Sequence, residues 1–224
     1  MRCNANTIIF DRDVVLVPYR EEHVAKYHEW MTSSELRELT ASEPLTLDEE
    51  YEMQRKWQVD EDKLTFIIHS RRPLSEPSAA EEPSPEMKWD WDALRAMPMV
   101  GDVNLFLKES PEDEYFEAEA EIMIAEPTYR RHGLARAALE LLLSYAAAPD
   151  APAPLPVPRT RFVARIGAEN APSIALFEKL GFVVTKRVEV FGEVEMRWKE
   201  GRGEGEWRKG ERVELRDVEG SVQD

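Results

Sequence analysis

The chain has a single cysteine, Cys3, among 224 residues. No internal disulfide can form, and a reducing compartment is expected. Basic charge is scarce as well: 29 Lys and Arg stand against 45 Asp and Glu, for a formal net charge of -16. That balance argues against duplex nucleic acid or an anionic membrane as the main partner, because both attract basic surfaces. It suits a cationic substrate, an amine or a basic peptide, and it equally suits plain solubility. No apolar run reaches the roughly 18 residues of a membrane span. Met1-Arg2-Cys3-Asn4-Ala5-Asn6 has neither a signal-peptide core nor a myristoylation pattern. A cytoplasmic or nuclear-cytoplasmic protein is expected. Glycines are few, with no glycine loop closing on Lys-Ser or Lys-Thr and no dinucleotide fingerprint of the G-x-G-x-x-G kind. A nucleoside triphosphate and NAD are disfavoured, and a pyrophosphate on another carrier stays open.

What is present points to one decorated α/β domain. Val14-Val15-Leu16-Val17 reads as a first strand stopped by Pro18. A helix follows from Glu21 to Met31, with Val24, Tyr27, His28 and Met31 on one face. His23 and His28 are candidates for acid/base work only in principle, since helix histidines more often pack or face solvent. Thr46 before Asp48-Glu49-Glu50 predicts a capped helix to about Val59. Strands are expected at Leu64–Ile68, Met99–Leu107, Ala118–Ala125, Arg161–Ile166, from Phe182 onward and at Phe191–Trp198, about seven in all. Residues 70–98 and 149–158 are rich in proline and read as flexible or extended insertions, with Trp89 and Trp91 placed to dock back. The domain is expected over 1–200, and 201–224 reads as a charged, disordered tail.

The segment Arg130-Arg131-His132-Gly133-Leu134-Ala135 lies between the strand ending at Ala125 and an apolar helix, Leu134–Ala148. A basic, glycine-containing turn that enters a helix leaves backbone N–H groups unpaired beside the positive end of the helix dipole. Such a point binds phosphate. The same residues also suit an ordinary connection with solvated arginines. Further on, Pro172–Leu180 is predicted as a short helix ended by Gly181.

The order strand, Arg130-x-x-Gly133-x-Ala135, helix, strand, then Glu169-Asn170-Ala171-Pro172-Ser173-Ile174-Ala175-Leu176-Phe177-Glu178-Lys179-Leu180-Gly181-Phe182 resembles the GCN5-related N-acetyltransferase (GNAT) superfamily. The course from Val14-Val15-Leu16-Val17-Pro18-Tyr19 through Ile122-Met123-Ile124-Ala125-Glu126-Pro127 is most similar to its N-acetyltransferase 9-like branch. The resemblance covers about residues 1–198 outside the two insertions. It implies a GNAT-type fold, a twisted mixed sheet with helices on both faces. It also implies acetyl-CoA as donor with no metal, and direct transfer to the free amine of a protein or peptide, most often an N-terminal α-amino group. Oligomeric state stays open.

By that resemblance, the backbone N–H groups of Arg130, Arg131, His132, Gly133, Leu134 and Ala135 would hold the pyrophosphate, with Arg130 or Arg131 adding charge-assisted contacts. Met123, Ile124 and Ala125 would pair with the pantetheine arm where the strand splays from its neighbour, and the N–H near Ile124 would face the developing oxyanion. Asn170 matches the family's pantetheine-contacting asparagine, Ser173 and Lys179 would lie along the cofactor, and a helix cap is the alternative for Asn170. Glu119 and Glu121 alternate onto one strand face, and either is a candidate general base. Phe177 stands where many members carry a tyrosine that protonates the leaving thiolate. Water, Tyr145 or Ser173 would have to serve instead, or the chain is a weak transferase. The rival readings are acetylation of a small amine, or a non-catalytic acetyl-CoA-binding module that uses 70–98 and the tail for contacts.

Overall fold

The computed structural model describes residues 2–71 and 89–215. Nine strands form one sheet: β1 (Thr7–Phe10), β2 (Val14–Pro18), β3 (Lys63–Ser70), β4 (Met99–Lys108), β5 (Glu117–Ile124), β6 (Phe162–Gly167), β7 (Phe182–Val188), β8 (Glu193–Trp198) and β9 (Glu211–Glu214). Their order is β7-β8-β6-β5-β4-β3-β2-β1-β9. The pair β5–β6 is parallel and the other neighbours are antiparallel. The helices are α1 (Glu21–Met31), α2 (Ser34–Leu39), α3 (Leu47–Val59), α4 (Trp91–Arg95), α5 (Leu134–Ala146) and α6 (Ala171–Lys179).

Strand alternation explains the layers. Leu64, Phe66 and Ile68 on β3 share a core with Val103, Leu105, Ala118, Ala120 and the leucines of α5. Ile67, one residue out of phase, packs on the other face with Tyr19, Val24, Tyr27 and Met123 beneath α1. Because helices cover both faces, the central strands are buried throughout and read as nearly continuous apolar runs. The predicted cap of α3 is present: Glu49 N–H donates to Thr46 Oγ1 at 3.3 Å, and Thr46 N–H donates to Glu49 Oε2 at 2.8 Å. Trp89 docks back as expected, its ring 4.3 Å from that of Phe10. The rest of the first insertion, residues 72–88, lies outside the described residues.

Three expectations need correction. The sheet has nine strands where about seven were expected, since β1 and β9 add two at one edge. The tail is ordered to residue 215: Trp207 is buried between Phe162 and Trp198, its Nε1–H donates to Leu180 O at 2.9 Å, and β9 pairs with β1. A single large aromatic and one short strand outweigh a glycine- and charge-rich composition. The segment 149–158 is no loose spacer either, because Leu155 and Val157 enter the core and Val157 N–H donates to Ala146 O at 2.8 Å.

Candidate active site

β4 and β5 stay paired over eight positions, whereas β5 and β6 meet only at Ala118–Phe162 and Glu119–Val163. Beyond Glu119 the two strands part. Leu107 N–H donates to Asp62 O on the β3 side, and Ala125 N–H donates to Val100 O at 2.9 Å. By alternation, the odd-numbered residues of β5 bond to β4, and the N–H and C=O of Ile122 and Ile124 face the opening. This is a strand edge available to an amide-bearing guest. At the far end of β5 the strand makes a tight crossing with β4. Gly101 passes so near Met123 that a side-chain carbon there would overlap the Met123 carbonyl oxygen, and Ala125 and Glu126 N–H groups both turn to Val100 O.

The turn ahead of α5 sits at the end of this edge. Gly133 is the N-cap with φ 80 and ψ 0, and it has no capping side chain. The first intrahelical bond runs from Ala137 N–H to Gly133 O at 3.0 Å. The N–H groups of Leu134, Ala135 and Arg136 therefore precede any intrahelical acceptor. Arg131 also takes a left-handed conformation, φ 66, a rare state for a side-chain-bearing residue that brings successive N–H groups to one side. Nothing lies within 4 Å of the position a Cβ would take on Gly133, so the space before the turn is open. Arg131 and His132 are exposed, while the Leu134 side chain enters the core and only its backbone faces the turn. Arg130 has a different duty from the one expected: its Nε–H donates to Ile124 O at 3.0 Å and its guanidinium lies 3.6 Å from Glu35. It ties the turn to the open edge.

Glu119, Glu121 and Met123 share the face beneath α1 and α3, but the two carboxylates differ in company. Glu119 is buried and accepts from Arg165 Nη1 at 2.7 Å, and Lys108 Nζ pairs with it too. Arg165 also bridges Glu117 at 2.6 Å and Glu195 at 3.1 Å. Glu121 has no hydrogen bond or ion pair among the described residues. Burial pushes its pKa up to about 7, with the Glu119 and Asp102 charges adding to the rise and Lys108 opposing it. Asp102 is 2% exposed and is pushed up to about 7, mainly by burial, although Asn104 Nδ2 donates to it at 2.6 Å.

The remaining expected residues are spread along α6. Asn170 caps the helix, accepting from Ser173 N–H at 3.2 Å. Phe177 is 2% exposed and packs edge-on against Phe182, so it presents almost no surface to a cofactor. Lys179 is exposed at the far end of the helix, where its carbonyl accepts from Glu204 N–H at 2.8 Å. Tyr145 is not at the site. It lies near the C-terminal end of α5, lines a cavity of about 400 Å³ with Arg2, Cys3 and Glu214, and is pushed up to about 12 by burial. Asp102, Asn104, Lys108 and Arg165 were missed. A carboxylate and an amide set two apart inside the apolar run Val100–Leu107 are the signal that could have found the first two.

A model of the family described as "Acetyltransferase (GNAT) domain" matches residues 13–183. The alpha/beta-tubulin-N-acetyltransferase 9 of Drosophila melanogaster is 46% identical over 194 residues, 87% of this chain and 87% of that protein. The Homo sapiens protein of the same name is 43% identical over 209 residues, 92% of this chain and 90% of its own length. Among solved structures, spermidine N-acetyltransferase from Vibrio cholerae in complex with CoA and spermine superposes with a TM-score of 0.57 at 18% identity, over 84% of this chain and 94% of that one. A parted β5–β6 edge, a turn of free N–H groups and these matches agree: the chain belongs to the GNAT acetyltransferases, acetyl-CoA-dependent N-acetyltransferases, in the N-acetyltransferase 9-like branch.

Proposed function

We propose that this chain acetylates the N-terminal α-amino group of a protein by direct attack on acetyl-CoA, with tubulin as the first acceptor to test. The observation that carries the reading is the open β5 edge, where the N–H groups of Ile122 and Ile124 face a gap beside Glu121, a carboxylate without a partner among the described residues. The likeness to proteins named alpha/beta-tubulin-N-acetyltransferase 9 supports a protein acceptor. The single cysteine supports a cytoplasmic or nuclear-cytoplasmic setting.

In this reading the turn of Arg131, His132, Gly133, Leu134 and Ala135 holds the pyrophosphate, and Arg130 keeps that turn in register with Ile124. The pantetheine amides extend β5 along Ile122–Ala125, with Asn170 and Ser173 on the opposite bank. Glu121 takes the proton of the incoming amine, since it is free of ion pairs among the described residues and its pKa is pushed up to about 7. Glu119 is spoken for by Arg165 and Lys108, and acts as a neighbour that tunes Glu121. An edge N–H at Ile122 or Ile124 stabilises the charge that grows on the acyl oxygen. With Phe177 in the core and Tyr145 remote, the thiolate gains its proton from Ser173 or solvent.

The test is release of free coenzyme A, followed in time with synthetic peptides bearing the N-terminal sequences of α- and β-tubulin and with polyamines. Turnover with the free-amine peptides alone supports the reading. Turnover only with polyamines would assign a small-amine enzyme, and tight acetyl-CoA binding with no acceptor above buffer hydrolysis would assign a non-catalytic module.

A further inference from the structure

Apart from Tyr145, the polar side chains of α5 are Arg136, Glu140 and Ser144, spaced by four and therefore set in one stripe. The segment 199–210, which links β8 to β9, lies along that stripe. Arg136 Nη1 donates to Glu204 Oε2 at 2.6 Å, Arg208 Nε lies 2.9 Å from Glu140 Oε2, and Ser144 Oγ donates to Arg208 O at 2.8 Å. The same segment crosses the end of α6. A helix leaves its last carbonyl groups without intrahelical donors. Here Lys179 O accepts from Glu204 N–H at 2.8 Å, and Leu180 O accepts from Trp207 Nε1–H at 2.9 Å. Gly203 passes Gly181 so closely that a side-chain carbon on it would come within 2.7 Å of the Gly181 nitrogen.

Glu204 grips both helices, its N–H on the end of α6 and its carboxylate on the first turn of α5. An arginine in a first turn is opposed by the helix dipole. Glu204 and Glu140, which accepts from Arg136 Nε at 2.9 Å, offset that and fix the guanidinium. In the reading above these helices are the two banks of the donor cleft: α5 supplies the turn at Gly133, and α6 supplies Asn170 and Ser173.

We propose that the segment 199–210 is a clasp that sets the spacing of α5 and α6, with Glu204 as a positioning residue for acetyl-CoA. The inference rests on the donor placement given above, and adds to it a residue beyond the family match, which ends at residue 183. A cleft whose banks are already at the right distance loses less freedom when the cofactor enters. Linkage makes the effect mutual: whatever the clasp adds to coenzyme A affinity, coenzyme A adds to the closure of the clasp.

The test reads affinity and exchange. Calorimetry with coenzyme A is run on the full chain, on Glu204→Gln, on Arg136→Met and on the double variant, and amide hydrogen exchange is followed with and without coenzyme A. Glu204→Gln is expected to weaken coenzyme A binding about fivefold, the reach of a partly exposed ion pair. The double variant is expected to be no weaker than the more affected single one, because both remove the same contact. In the parent, coenzyme A should slow exchange at the Glu204 N–H several-fold, and in Glu204→Gln by less, while the loop 109–116 at the other end of β5 stays as it was. The clasp is overturned if Glu204→Gln binds coenzyme A as the parent does, even with a lower Tm, since the contact would then serve the fold alone. Tighter binding in Glu204→Gln overturns it as well, because Glu204 would then compete with the phosphates for Arg136. A parent chain that binds no coenzyme A would remove the donor placement itself, and the clasp's role with it.

Discussion

Arg165 donates to Glu119 at 2.7 Å from the strand on the far side of the parted edge. The contact closes the last paired step between β5 and β6 and holds Glu119 in an ion pair.

Glu121→Gln is therefore expected to cut turnover by about 10²- to 10⁴-fold with little change in affinity for acetyl-CoA. Glu119→Gln is expected to keep most activity and to move the acidic limb of rate against pH, which should lie near 7, to lower pH. The sign follows from charge: Glu119 raises the Glu121 pKa, and its removal also frees Lys108, whose charge lowers it. Initial rates between pH 5 and 9 check both. An acidic limb that stays in place in Glu121→Gln would take that residue out of the mechanism.

Gly133→Glu is expected to weaken coenzyme A binding roughly 10- to 100-fold, the loss of one or two charge-assisted hydrogen bonds. The site has room for a side chain, so the fold should survive the strain of φ 80. Gly133→Ala, which adds the strain without the charge, separates the two effects. Calorimetry with coenzyme A and thermal melts on both variants decide, and equal affinity in Gly133→Glu would mean that the phosphates lie elsewhere.

Gly101→Ala forces a methyl group into the Met123 carbonyl, and neither backbone can yield without moving the end of β5. We expect a loss of roughly 3 kcal/mol and a larger fall in activity than stability alone explains. Denaturant unfolding and activity measured on the same sample test it. A normal melt with normal activity would show that the crossing is not what holds the edge open.

Stability should fall as pH rises from about 4 to about 7 through Asp102. Its folded pKa is raised from 3.8 to about 7, so the folded state binds the proton more tightly than the unfolded chain, and that contribution is lost above 7. His23 works in the opposite sense, being held to about 3 by burial, so its cost grows as pH falls below 6.5. Asp102→Asn is expected to be more stable than the parent at pH 8, by about 2 kcal/mol, and no more stable at pH 4. Urea midpoints at the two pH values give the comparison.

How much the sequence discloses depends on how local the cause is. The start of α3 was legible because Thr46 and Glu49 cap each other three residues apart, and the strand, turn and helix around Gly133 carry their signals within one short stretch. β9 was not, since Glu211–Glu214 is mostly charged and its partner β1 lies at the other end of the chain. The buried Leu155 and Val157 were hidden by prolines that normally mark exposed spacers. At the site, alternation put Glu119 and Glu121 on one face and could go no further. The distinction between them belongs to Arg165, 46 residues on. Phe177 was correctly seen to lack an acidic proton, but only packing shows that its ring points into the core.

The pairing of β1 with β9 joins Thr7 to Glu214. During synthesis, β1 is the first strand of the sheet to emerge and its outer partner the last, so the sheet keeps a bare edge until β9 is made. The turn at Gly133 and the open β5 edge are made before that. A nascent chain of this protein thus has one flank of its sheet that can still pair with a stranger, and the interval until residue 214 leaves the ribosome is when misassembly is most open to it.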